Sequence, residues 1–344
     1  MSNDTNQDGD VSKKKPSTKG FKATSKRLRE GKENNLSNRA CLNWRQDSES
    51  VCRREDDKFT GDKRTYDIVP IDDVVEMLSR SRTGSSLLEQ LGDVEVRYDT
   101  QVPGSQFYPR DGKSWITLNP WRPKGDLVNM LAREVRRAWQ HVEGALINPL
   151  EFEPDEAILV NRAQMADVMM IGIKIAWELK LAGENEAWDY LVGSPMADIG
   201  RTFEVKVQGD FRTLNNGEAP RAAYDKFFED SRTKMHDKRI IHQMLLDETG
   251  YMKSKTVRPK VSMDLFSKLG SLPHGRNYLS MKSTRAPTDA CYATVEDRSN
   301  ANFLWFIKFE RSFQEKELQM IEQSVKLSAE IVDFAKWSAK ERRS

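Results

Sequence analysis

The sequence predicts an α+β fold that is mainly helical, with short strands preceding a helix bundle, a disordered N-terminal tail and a long C-terminal helix. Three observations point there. Residues 94–98 alternate apolar and polar side chains at the strand period, and residues 114–118, closed by Asn119 and Pro120, read as a second strand. From 126 to 247, apolar residues recur mostly at helical spacing, with Gly and Pro as punctuation. Near the C-terminus, Leu318, Ile321, Val325, Val332 and Ala335 fall on one helical stripe.

Residues 1–64 hold 16 Lys and Arg against 11 Asp and Glu, few aromatics and the run Lys13-Lys14-Lys15. Such a segment cannot bury enough apolar surface to offset chain entropy, and it is expected to be a disordered basic tail. A weak contact with nucleic acid through this tail is one reading, and a solvated tail is the plainer one. The folded region is expected over 66–250. It opens with short helices at 72–79 and 87–91, followed by the strand at 94–98, a turn-rich stretch at 101–109 and the strand at 114–118. Asp126 is placed to cap a helix that runs to Val142 and ends at Gly144 and Pro149. Pro154 opens a long helix to Leu181, stopped by Gly183, and Met169 and Met170 within it read as core filling. Further helices are expected at 185–192, 196–207, 218–230 and 232–247. Residues 251–309, interrupted by Pro259, Pro273 and Pro287, read as an irregular connecting region. Residues 310–342 read as one amphipathic helix, for which packing on the domain is the plainer expectation and pairing with a partner the other.

Composition narrows the function classes. The 55 basic and 53 acidic residues nearly cancel, which excludes a chain that seeks polyanions along its whole length. Cys41, Cys52 and Cys291 are too few and scattered for a disulfide framework or a thiolate zinc site. No apolar signal core or bilayer-length apolar run is present, so no membrane role is expected and the expected location is cytoplasmic. Trp115, Trp121, Trp139, Trp177 and Trp188 are expected in the core.

One segment carries chemistry: Leu131-Ala132-Arg133-Glu134-Val135-Arg136-Arg137-Ala138-Trp139-Gln140, on a helix after a strand. In that setting zinc peptidases place H-E-x-x-H, two histidines on one helical face holding the metal and a glutamate acting as base on its water. Glu134 stands at the glutamate position, and Arg133 and Arg137 stand where the histidines would be. Together with residues 118–129 and 161–167, the stretch resembles a bacterial family of zincin-like metallopeptidases whose members read L-A-H-E-L-R-H-A-W-Q here. The resemblance covers about 66–250. It implies a minimal zincin-like fold, zinc as cofactor, and a third ligand from the next helix in an E-A-D segment. Here that segment is Met165-Ala166-Asp167, which puts Met165 at the expected ligand position.

The departures bear on the chemistry. Arginine stays protonated and has no lone pair to give a metal, and a thioether is a poor zinc ligand beside carboxylate or imidazole. The reading that follows is a metallopeptidase-like protein without zinc ligands at its motif, acting by binding or regulation on a protein or peptide partner. An active enzyme would need zinc on a rearranged set of His141 and Asp167, with Glu134 as general base. A nucleic-acid role for the tail is a third reading. The arginines either pair with Asp167 or Glu134 across two helices, or bind an anion or acidic peptide in the cleft, or are solvated. His236, His242 and His274 are assigned no metal role.

Overall fold

The computed structural model describes residues 68–92, 94–110, 113–229, 232–247, 250–252, 258–280 and 289–341, with side chains of the last helix described as far as 326. The basic tail therefore lies outside the described residues. Two short helices, α1 (Ile71–Ser79) and α2 (Arg82–Leu91), lead into strands β1 (Glu95–Tyr98), β2 (Ser105–Tyr108) and β3 (Trp115–Leu118). The helices α3 (Lys124–Val142) and α4 (Pro154–Leu181) follow. After them come α5 (Glu186–Val192), α6 (Ala197–Gly209), α7 (Thr213–Asn216), α8 (Glu218–Lys226) and α9 (Arg232–Leu246). The chain then forms α10 (Met263–Leu269), α11 (Ala290–Ala293) and α12 (Arg298–Glu341). The described residues are thus mainly helical with one small sheet.

The sheet order is β1-β3-β2. β1 runs parallel to β3, with Glu95 opposite Trp115, and β2 runs antiparallel to β3, with Ser105 opposite Leu118. Period-two alternation sends Val96, Phe107, Ile116 and Leu118 inward and leaves Arg97 exposed. β2 falls inside the stretch read as turns, because four residues between turns carry too little periodicity to declare a strand.

α4 is the centre of the bundle. Its sequence is apolar around most of its circumference, and Ile158, Val160, Met170, Ile171 and Leu179 are fully buried or nearly so. Each such side chain contributes about 1.5–3 kcal/mol of apolar burial. The charges within it are neutralised locally. Lys174 pairs with Glu178, whose carboxylate also accepts from Ser81 Oγ, Thr83 N and Thr83 Oγ1, each at 2.7 Å, at the start of α2. Arg162 forms a two-pronged pair with Asp237 of α9 at 2.8 and 2.6 Å. α3 packs on α4, on the sheet and closely on α5. A Cβ at Gly125 would stand 2.2 Å from the Glu186 carbonyl oxygen, so only glycine permits this approach.

Several expectations are corrected. Pro123, not Asp126, is the N-cap of α3, and Asp126 lies in its first turn, where its charge favours the helix dipole. Trp139, Trp177 and Trp188 are core residues, but Trp121 is 53% exposed and Trp115 half-buried. Residues 251–309 are less irregular than expected, since α10, α11 and the first turns of α12 fall within them. The last helix starts at Arg298, not at 310. Its packed face is Leu304, Ile307 and Arg311, and the expected core stripe leaves the domain, with Ile321 and Val325 exposed. Lone helical periodicity marks a face but does not say whether anything covers it. No helix among the described residues is long and apolar enough to cross a membrane.

Candidate functional site

The site follows from how α3 is laid over the sheet and against α4. Leu127, Leu131, Val135 and Ala138 lock one side of α3 into the core. The next positions round the helix, Glu134 and Arg137, then face the start of β2 and the middle of α4. Glu134 is fully buried. Its Oε1 accepts from Ser105 Oγ at 2.8 Å and from Arg137 Nη1, and its Oε2 has no hydrogen-bond partner. Arg137 is 7% exposed, and its Nη2 lies 3.6 Å from Met165 Sδ on α4. Arg137, Glu134 and Met165, picked from the sequence, therefore meet in one place. A guanidinium fills the space between the carboxylate and the thioether.

Arg133 lies one turn before Arg137 and is only partly buried, its stem running over α4 where a Cβ at Gly172 would come within 3.4 Å of its Cγ. Its charge and that of Arg122 oppose the burial and the Asp126 carboxylate that push the Tyr190 hydroxyl upward. Neither Arg133 nor Arg137 is the partner of Asp167. That partner is Arg136, which the sequence reading left without a role. Arg136 and Asp167 are both fully buried, joined by Nε to Oδ2 at 2.8 Å and Nη2 to Oδ1 at 3.0 Å. Gln140 Nε2 donates to Asp167 Oδ2 at 2.7 Å, and Tyr278 Oη donates to Asp167 Oδ1 at 2.6 Å. Arg136 Nη2 also donates to the carbonyls of Leu269 and Ser271, and its guanidinium lies 3.9 Å from the Trp139 ring centroid. Burial, then the Asp167 carboxylate, holds the Tyr278 phenol well above its ordinary range, so it stays a donor.

His141 and Asp167 do not converge on Glu134. Asp167 has both oxygens engaged by Arg136, Gln140 and Tyr278, and His141 is exposed, 5.8 Å ring to ring from Phe107. Among the described residues, no group of three or more His, Cys, Asp and Glu is placed to hold a metal ion. The residues present at the motif do not fit zinc on chemical grounds, since two guanidiniums and a thioether stand where donors of electron pairs are needed.

The sequence reading missed Ser105, Arg136, Gln140, Tyr278 and His236 as parts of this neighbourhood. Arg136 and Gln140 are four apart on one helix face and were legible as a pair. Ser105 sits in the overlooked strand, and Tyr278 comes from a segment 111 residues away from Asp167. His236 on α9 is 4% exposed and packs 5.8 Å from the Phe227 ring. Burial, helped by the fields of Arg239, Arg137, Arg232 and Arg162, pushes its imidazole down to about 3, so it is neutral at ordinary pH.

A family model described as "Putative metallopeptidase family (DUF6782)" matches residues 48–280, more than half of the chain. No curated protein and no solved structure matches it.

Proposed function

We propose that this chain, which belongs to that metallopeptidase family, is a metallopeptidase-like protein that works by binding or regulation rather than by zinc hydrolysis. The observation that carries the reading is the Arg137 guanidinium, hydrogen-bonded to the buried Glu134 and set against Met165. Its fixed positive charge occupies the place that the resemblance gives to a dication, and it neutralises the carboxylate that would otherwise need one. A carboxylate held in this way has no polarised water to deprotonate. The pair lies within α3 rather than across two helices, and it supports the structural reading of Arg137 over the anion-binding and solvated ones. The alternative, an active enzyme with zinc on His141 and Asp167, would have to break the Arg136–Asp167 pair and draw an exposed imidazole inward.

The deciding experiment is the metal content of the untagged chain after exposure to zinc and desalting. Retained zinc well below one per chain is expected. About one zinc per chain, lost in His141→Ala or Asp167→Asn, would overturn the proposal and reinstate a hydrolase with Glu134 as general base.

A further inference from the structure

If the site works by binding, some element has to move, because Glu134, Arg137 and Met165 are 0, 7 and 4% exposed. On the β2 side, Ser105 belongs to a strand held by its ladder to β3. The other neighbour is α9, whose buried His236 is close enough for the Arg137 charge to act on its imidazole. α9 packs against both α4 and α12. Its polar hold on α4 is the buried pair of Arg162 and Asp237.

Residues 289–311, which lie beyond the part matched by the family model, close over that pair. Arg162 Nη1 donates to the Tyr292 carbonyl at 2.7 Å and the Thr294 carbonyl at 3.1 Å, and Nη2 reaches the Thr294 carbonyl at 3.1 Å. Asp237 and these two carbonyls take up the whole guanidinium fork. Tyr292 Oη donates to Asp225 at 2.6 Å, and its ring meets Phe228 edge-on at 4.7 Å. Further on, Asp297 pairs with Lys234 of α9 at 2.7 Å, and the buried Asn300 donates to the Lys234 carbonyl at 2.9 Å. Leu304 and Ile307 are buried on the packed face of α12, and Arg311 ends the run on the Tyr251 carbonyl and Glu153.

We propose, resting on that reading of the site, that residues 289–311 form a strap that holds α9 closed over it, and that release of the strap opens the site to a partner. What the strap gives to Arg162 is neutral. The cation keeps Asp237 when the carbonyls leave, so release strands no buried charge there, as loss of a carboxylate would. Contiguous segments held in this way open as cooperative units below the cost of global unfolding.

The test is hydrogen exchange of the full chain, followed by mass spectrometry, with thiol labelling as a second readout. Asn300→Ala/Ile307→Ala should quicken exchange in α9 by more than about tenfold and leave α1 and the sheet unchanged. On a background of Cys41→Ser, Cys52→Ser and Cys291→Ser, the thiol of Met165→Cys should react slowly with iodoacetamide. Adding the two strap substitutions should speed that reaction by more than about tenfold. Val74→Ala, which loosens the buried face of α1 instead, should leave both rates unchanged. Unchanged exchange in α9, or a rise spread evenly over the chain, would overturn the strap. Faster exchange in α9 with an unchanged labelling rate would overturn its hold on the site. Zinc retention is read separately on the wild-type chain, so failure of the strap and failure of the metal-free reading are told apart.

Discussion

Replacing Arg137 with methionine keeps much of the side-chain volume and removes the charge that faces Glu134. Glu134 is 0% exposed, and besides Arg137 it accepts a hydrogen bond from the Ser105 hydroxyl at 2.8 Å. Left ionised, it is an uncompensated buried charge of the kind that costs about 3–5 kcal/mol. Arg137→Met should therefore lose about 3–5 kcal/mol. Adding Glu134→Gln should recover most of the loss, because the charge is then gone with its partner. Urea unfolding of wild type, the single variant and the double variant measures this. A loss at pH 7 below about 0.5 kcal/mol, the range of ordinary surface substitutions, would show that the pair carries no structural role. A loss that Glu134→Gln does not recover would show that Glu134 is not the group left without its partner by the change.

Two further outcomes follow from the same neighbourhood. Asp167→Asn leaves the fully buried Arg136 cation without its carboxylate, so a loss of about 3–5 kcal/mol is expected. Because Arg136 and Tyr278 tie the 269–278 segment to α3 and α4 through this aspartate, tryptic cleavage after Lys268 or Arg276 should also quicken. Unchanged stability and cleavage would remove the network from the account of the fold. His236, held near 3 in the folded chain against an ordinary 6.5, binds its proton more readily when unfolded. Stability should therefore fall as pH drops below 6.5, by up to about 1.4 kcal/mol per unit. Glu178 does not confuse this window. Burial raises it, but Lys174, Ser81 and Thr83 outweigh that and hold it low, so its contribution is present above 4.5 and is lost only below. His236→Gln should flatten the urea midpoint between pH 5 and 6.5, and an unchanged acid slope would refute the assignment.

The parts of the fold legible in sequence are those with their own periodicity and stops. α4 begins at Pro154 and ends at Leu181 as read, because a proline at the first helical position and a glycine just beyond the end fix both bounds locally. β2 was not legible, since a four-residue strand is defined by its ladder with β3 and not by its own side chains. At the site, the sequence supplied Arg133, Glu134, Arg137 and Met165 through helical spacing and family likeness. It did not supply the partner of Asp167, because Arg136 and Arg137 are neighbours of identical type that differ only by 100° of rotation about the helix axis.

The sequence by itself determined the type of nearly every helix and the kind of side chain at each motif position. It also determined that those positions offer guanidinium and thioether in place of imidazole, which is a matter of residue chemistry and needs no coordinates. Only the tertiary structure decided which arginine neutralises which acid, since that depends on how α3 rolls on α4. It also decided that Glu134 is sealed from water by Arg137, and that a stripe which reads as core on α12 runs out past the domain. Pairing across elements and burial are properties of the assembled packing, and no local periodicity encodes them.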